Sequence, residues 1–403
     1  MKSYKHLFPW FKNNPDIVYL DSGATTHKPQ VVIDAINQYY LYDCTNPHNS
    51  DSTFAYKSHL VVENARKSLA KLINAKSIQE IVFTSGATES LNLIANGLKK
   101  WLKKDDEIIL TYSEHASNLL PWYKLREEIG IKIVFANQLN HYPTLEDFKN
   151  ALSAKTKIVS FASGGNLVGN ILDEVAITKI VKEYNQQILV CVDATQSIQH
   201  RPIDVIKTNC DFVVCSAHKI FGPTGIGLAY IKESLITKLE PLKYGGGMNF
   251  SINLEKYELF DNLMRFEGGT PHVAGIYGFK ACVDFLLDIG YEAIRNHELE
   301  LVKYATEQLK TIENIEIFNQ DDSSTSIAFS YKNVFCQDFA NYLGNKNIIV
   351  RSGLSCAKVI NHIIGIECAI RASFYLYNDK SDVDKLVKAI KEYKPGDELN
   401  GII

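Results

Sequence analysis

The chain has 403 residues, 43 of them Lys or Arg and 46 Asp or Glu, for a formal net charge of −3. That balance argues against a protein built mainly to hold nucleic acid or an anionic membrane surface, where a basic excess is expected. Hydrophobic residues at 46% and charged residues at 22% are ordinary for a globular protein and exclude wholesale disorder.

The N-terminal stretch MKSYKHLFPWFKNNPD is interrupted by Pro9, Lys12 and Pro15 and does not read as a secretory signal. Apolar periodicity predicts helices over Val31–Leu41 and Glu63–Ile73, a strand over Glu80–Thr84 and a helix over Ala87–Leu98. Strand Glu107–Leu110, helix Trp122–Ile129, strand Lys132–Phe135, helix Leu145–Leu152 and strand Lys157–Phe161 follow. After helix Glu174–Tyr184 come strands Ile188–Val192, Phe212–Cys215 and Gly227–Ile231. The longest apolar runs, such as Gly225–Ile231, fall far short of the roughly 18 residues that span a bilayer. Helices are expected over Pro271–Ile289, Ala293–Leu309 and Val383–Tyr393, with the strand-like runs IEIF, TSIAFS and NIIVR between the last two.

Short apolar strands alternating with helices predict an α/β fold whose sheet is mainly parallel and buried on both faces. Its ligands belong at the carboxyl ends of the strands. The tail reads as a smaller α+β domain. We expect a large domain over 20–290 and a small one formed by 1–19 and 291–403. The eight cysteines include no CxxC pair and no Cys/His spacing of a zinc site. Most lie in apolar contexts, as reduced thiols do, which points to the cytoplasm.

The most informative segment is DFVVCSAHKIFGPTGIG, Asp211–Gly227, where an apolar strand runs into Ser216, Ala217, His218 and Lys219 and then a glycine turn. A lysine partly withdrawn from water there has a lowered pKa and is a usable amine nucleophile. A lone lysine after a strand is more often just exposed, but this one has company. Asp193 also follows a strand, and a carboxylate at a sheet mouth calls for a cationic partner, such as a protonated pyridine nitrogen. As a bland alternative it is the N-cap of the next turn. Thr84 to Glu89 joins a strand to a helix whose free N–H groups, with the Thr88 hydroxyl, can cradle a phosphate. His115, after the strand EIILTY, can stack on a flat ring or can be a satisfied surface histidine.

In this order the pieces resemble the class V group of fold-type I pyridoxal-phosphate enzymes. The likeness runs from about Tyr19 to Tyr393 through YLDSGATTHKP, Ser113–Trp122, VDATQS, SAHKIFGPTGIG, RFEGGTP and RASFYLYN. Within that class the chain is most similar to SufS-type (group II) cysteine desulfurases, because VRSGLSCA places Cys356 where that family carries its active cysteine. The resemblance implies a seven-stranded, mainly parallel sheet and pyridoxal 5'-phosphate held covalently by Lys219. It implies Asp193 at the pyridine nitrogen, Gln196 at the ring hydroxyl and His115 over the ring. Ala87, Thr88, Ser216 and His218 would hold the phosphate. Thr270 would reach the phosphate of the neighbouring subunit, which implies a homodimer with shared sites. Asn166 would lie near both cofactor and substrate, with Ala24 and His48 beside the substrate. Arg371 would grip its α-carboxylate with two parallel bonds. L-cysteine would become L-alanine, with the sulfur passing to the Cys356 thiolate and then to an acceptor protein for iron–sulfur cluster or thio-cofactor synthesis.

Some positions depart from the group II pattern. Leu354 and Ser355 precede Cys356 where the family has two histidines, and Ala116 follows His115 where it has another. His48 to Ser52 replaces a His-Arg-Gly-Xaa-His stretch, and Ala162 to Gly169 replaces a run that opens Ser-His. The changes spare the cofactor residues and thin out ionisable groups near Cys356. They keep selenocysteine lyase, cysteine sulfinate desulfinase, a class V aminotransferase and a weakly active cofactor-binding scaffold as alternatives.

Overall fold

The short apolar runs of the first two thirds assemble into one seven-stranded sheet. In chain order the strands of the protein are β1 (Val18–Tyr19), β2 (Ile81–Thr84), β3 (Glu107–Leu110), β4 (Lys132–Phe135) and β5 (Thr156–Ala162). Next come β6 (Leu189–Asp193), β7 (Phe212–Ser216), β8 (Gly227–Ile231), β9 (Asn249–Ile252) and β10 (Tyr257–Leu259). The last third adds β11 (Ile315–Ile317), β12 (Ser326–Tyr331), β13 (Ile348–Ile349), β14 (Arg351–Ser352) and β15 (Ile370–Ser373). The computed structural model describes residues 4–47, 51–138, 141–167, 169, 171–319, 324–353, 358–360, 365, 368–394, 396 and 397.

The large sheet has the order β2-β8-β7-β6-β5-β3-β4. Only β8 runs against its neighbours, and the other pairings are parallel. Side chains alternate between two cores, as the period of 2 requires. Val190, Val192, Val213 and Leu228 face the helices Glu174–Tyr184 and Val273–Ile289. Cys191, Phe212, Val214 and Ala229 face the helices Ala87–Leu98 and Leu120–Ile129. Burial on both faces is why these strands read as continuous apolar runs.

The last third forms an antiparallel sheet, β11-β12-β15-β14, packed on the helices Tyr291–Leu309, Cys336–Asn345 and Lys380–Glu392. The N-terminal segment touches two of the apolar cores. Phe8 meets Phe221 and Phe285 of the large core, and Val18 pairs with Ile348 of β13. Among the described residues no helix is long and apolar enough to cross a membrane.

The structure departs from the sequence reading in several places. The helix expected over Glu63–Ile73 begins at Thr53, where Ser52 caps it by accepting from the Ala55 N–H at 3.1 Å. The hairpin β9–β10, the helix Cys336–Asn345 and strand β15 were not anticipated. Cys336 and Cys368 face one another, with Cα atoms 6.0 Å apart. The tertiary fold brings this pair together across 32 residues of sequence. Cys44, Cys191, Cys210, Cys215 and Cys282 are free.

Candidate active site

Strand ends place the chemistry. β6 finishes on Asp193, β7 on Ser216 just before the single turn Ala217–Lys219, and β5 on Ala162. These ends, the loop after β3 and the start of the Ala87–Leu98 helix surround a cavity of about 280 Å³. Lys219, Asp193, His115, Gln196, Asn166, Ala24, Ala87, Thr88, Ser216, His218 and Arg371 all line it. Thus the structure gathers most of the residues singled out from the sequence. Cys356 and His48 lie outside the described residues. Thr270 is exposed and lines a different cleft, with Ser85, Glu89 and Lys243.

The Lys219 amine donates to the Gly23 carbonyl at 2.5 Å, and Gln196 Nε2 donates to the same oxygen at 2.9 Å. Asp193 is 5% exposed and accepts from the Thr195 N–H at 3.0 Å. At the opposite end, Gly86 takes φ +151° and starts the helix Ala87–Leu98. The Ala87 N–H donates to Ser216 Oγ at 2.9 Å, and the Thr88 and Ser117 hydroxyls are 2.7 Å apart. A helix start with hydroxyls around it is an anion site.

His115 caps the turn Ala116–Asn118, its Nδ1 accepting from the Ser117 N–H at 3.1 Å. Burial holds its pKa below the ordinary value, with Lys219 acting the same way and Asp193 opposing. That direction favours the neutral ring, and an Nδ1 that accepts the Ser117 N–H leaves the proton on Nε2. Beneath it, Glu114 is fully buried and accepts from Thr111 Oγ1 at 2.6 Å, Asn118 Nδ2 at 2.7 Å and the Ala162 N–H at 3.0 Å. Burial pushes that carboxyl up to about 7. His218 is brought down to about 4 by burial, helped by Lys219 and Lys28. Its Nδ1 lies 3.2 Å from Thr25 Oγ1, and its carbonyl accepts the Thr26 N–H.

Arg371 enters from the small sheet. It sits on β15, 2% exposed, with Nη2 donating to Asp21 Oδ1 at 2.7 Å and Nη1 to the Asn166 carbonyl. Burial lowers its pKa, and Asp21 opposes that shift. Gly23 makes room for the guanidinium, since a Cβ there would stand 2.8 Å from Arg371 Cζ. Arg351, directly opposite Arg371 in register, also lines the cavity.

The donor set fits pyridoxal phosphate. It offers an amine, a buried carboxylate and a neutral flat ring, and at the far end an anion cradle built from a helix start, Thr88 and Ser216. Sequence reasoning missed Asp21, Gly23, Glu114 and Arg351. Asp21 does lie in the segment YLDSGATTHKP and Arg351 in VRSG, but their places depend on strand pairings that no local pattern announces.

The chain matches the family model described as Aminotransferase class-V over residues 18–386. It is 66% identical over 403 residues to a "Probable cysteine desulfurase" from Ureaplasma parvum, covering 100% of both chains. The apo structure of a cysteine desulfurase from Thermococcus onnurineus NA1 superposes with a TM-score of 0.92 at 32% identity, covering 97% of this chain and 98% of that one. The cysteine desulfurase CsdA (S-sulfonic acid) from Escherichia coli gives 0.89 at 31% identity, covering 99% and 98%.

Proposed function

The chain belongs to the aminotransferase class-V family, and from that premise we propose that it is a cysteine desulfurase, releasing L-alanine from L-cysteine and taking the sulfur onto Cys356. The observation that carries this reading is the meeting of Lys219, Asp193, His115 and Arg371 in one cavity. Full-length likeness to chains bearing that name supports it.

Pyridoxal phosphate is the cofactor, and when bound it supplies an electron sink for the charge left on the substrate α-carbon. Lys219 would hold it covalently. Asp193 would keep its pyridine nitrogen protonated, Gln196 would bond its ring hydroxyl and the neutral His115 would cover its ring. Ala87, Thr88, Ser216 and His218 would hold its phosphate. Arg371 would fix the α-carboxylate of the substrate, with Asn166, Ala24 and His48 beside it. Once the substrate amine displaces it from the cofactor, the Lys219 amine would be free to take the α-proton. The Cys356 thiolate attacks the substrate sulfur. The new S–S bond would form as the Cβ–S bond breaks, the electron pair staying on the substrate side; Cβ then takes a proton, Cα regains the one that Lys219 removed, and the product leaves as alanine.

In the same reading the enzyme works in the cytoplasm as a homodimer and hands its persulfide to an acceptor protein for iron–sulfur cluster or thio-cofactor synthesis. The chain divides into a large unit over 20–290 and a small one formed by 1–19 and 291–403.

The test is alanine release from L-cysteine by the holoenzyme, with a reductant present to clear the persulfide. Lys219→Ala is expected to lose both the cofactor absorbance band and activity. Cys356→Ala is expected to keep the band and stop persulfide formation. Protein-bound persulfide persisting in Cys356→Ala would remove that residue from the role. An intact band without alanine release would sink the desulfurase.

A further inference from the structure

The carboxylate grip proposed for Arg371 requires a buried guanidinium held at a fixed distance from the Lys219 amine, and one short turn touches both groups. Asp21 and Ala24 close that turn, the Ala24 N–H donating to the Asp21 carbonyl at 2.9 Å. Its first residue holds Arg371 through the Asp21 carboxylate at 2.7 Å. Its third, Gly23, accepts from Lys219 at 2.5 Å and from Gln196 at 2.9 Å.

The turn is tied to strands β13 and β15 of the last third of the chain. Leu20, just ahead of it, donates to the Ile349 carbonyl and accepts from the Ser373 N–H, two residues beyond Arg371. A guanidinium has donors on all three nitrogens. Nη2 and Nη1 donate to Asp21 and Asn166, while Nε has no partner among the described residues.

We propose that Asp21 is a positioning residue, holding the Arg371 guanidinium in register with Lys219 so that it can receive an amino acid's α-carboxylate. This rests on the reading of Arg371 as the carboxylate-binding group. Asp21 fits the role because a guanidinium 2% exposed needs a counter-charge to stay where it is. Its carboxylate supplies that charge from the side of the turn, leaving the cavity side of Arg371 for the ligand.

The experiment titrates the holoenzyme's cofactor absorbance with L-alanine and, separately, with ethylamine, the same amine without the carboxylate. Asp21→Asn keeps the side chain's shape and removes its charge. It is expected to weaken L-alanine about tenfold or more, as loss of one partner of a buried pair does. Ethylamine binding and the resting spectrum should stay unchanged. Arg371→Lys, run in parallel, is expected to give the same pattern.

Unchanged or tighter L-alanine binding in Asp21→Asn overturns the proposal, as does equal weakening of both ligands, the mark of a merely structural role. If L-alanine is unaffected even in Arg371→Lys, the reading of Arg371 itself falls, and the proposal with it. Should Asp21→Asn fail to retain cofactor, Asp21→Glu decides. That variant keeps the charge but displaces it by a methylene. Selective weakening of L-alanine supports the proposal, and parallel loss of both ligands overturns it.

Discussion

At the scale of single residues, His27 shows how aromatic packing sets a titration. Its ring stacks under the Trp10 indole, 4.0 Å between centroids, with the edges of Tyr19 and Tyr377 around it. Burial brings its pKa down to about 4, with Lys28 adding to the shift. A folded-state value below the unfolded one means that the unfolded chain binds more protons between about pH 4 and 6.5. The neutral ring therefore costs nothing above pH 6.5, and its contribution to stability is lost as pH falls toward 4. His27→Phe keeps an aromatic ring in the nest and removes the proton. Its urea midpoint is expected to gain on the natural chain's between pH 7.5 and pH 5, and parallel curves would discard this account. The same scale explains what could be read in advance. Lys219 and Asp193 follow apolar strands directly, so their place at the sheet mouth was legible. Asp21 reaches Arg371 across 350 positions of sequence, and Arg351 reaches the cavity through its pairing in the small sheet, and nothing adjacent to either signals it.

At the scale of elements, the phosphate-end turn depends on two glycines back to back. A Cβ on Gly227, the first residue of β8, would stand 2.5 Å from Gly86 Cα and 2.6 Å from the Cys215 carbonyl oxygen. Both are backbone atoms of the structure that presents Ala87 and Ser216, so relief requires moving the turn itself. Gly227→Ala is expected to destabilise the protein by about 1–3 kcal/mol and to weaken cofactor retention, read as the thermal midpoint and as cofactor lost on dialysis. A variant with both unchanged would mean that the sheet edge yields freely. Most elements that matched expectation are buried on both faces or strongly periodic, the half-buried edge strand β4 being an exception. The helices Ala87–Leu98 and Glu174–Tyr184 and the strands β3, β4 and β8 fell where the pattern put them. The helix Cys336–Asn345 has no polar cap, since Phe335 precedes it without a side-chain bond. β15 carries a buried arginine at its centre, which breaks the apolar signature of a central strand. The hairpin β9–β10 is exposed along most of its length, so burial imposed no period on it.

At the scale of the whole molecule, Thr270 bears on whether two copies of the chain share their sites. It lines a cleft separate from the Lys219 cavity within one chain, yet the family likeness assigns it to a cofactor phosphate. A homodimer reconciles the two if Thr270 of each subunit serves the other's site. Exposed apolar side chains such as Phe250, Ile252 and Leu254 on the hairpin, and Leu41 and Tyr42 nearer the N-terminus, supply surface that a partner copy would cover. Shared sites make a sharp prediction for mixed dimers. Lys219→Ala alone should be inactive, and Thr270→Ala alone should be weak, near a tenth of full activity for a lost charge-assisted bond of about 1.4 kcal/mol. In a hybrid of the two, one site pairs an intact Lys219 with an intact Thr270, and the other site lacks both. Random exchange in an isologous dimer then restores about a quarter of full activity. If each site is completed within its own chain, every Lys219-containing site in the mixture also lacks Thr270, and activity cannot rise above that of Thr270→Ala. Alanine release from co-refolded variants at equal concentration, with the dimer fraction checked by sedimentation, separates the two arrangements.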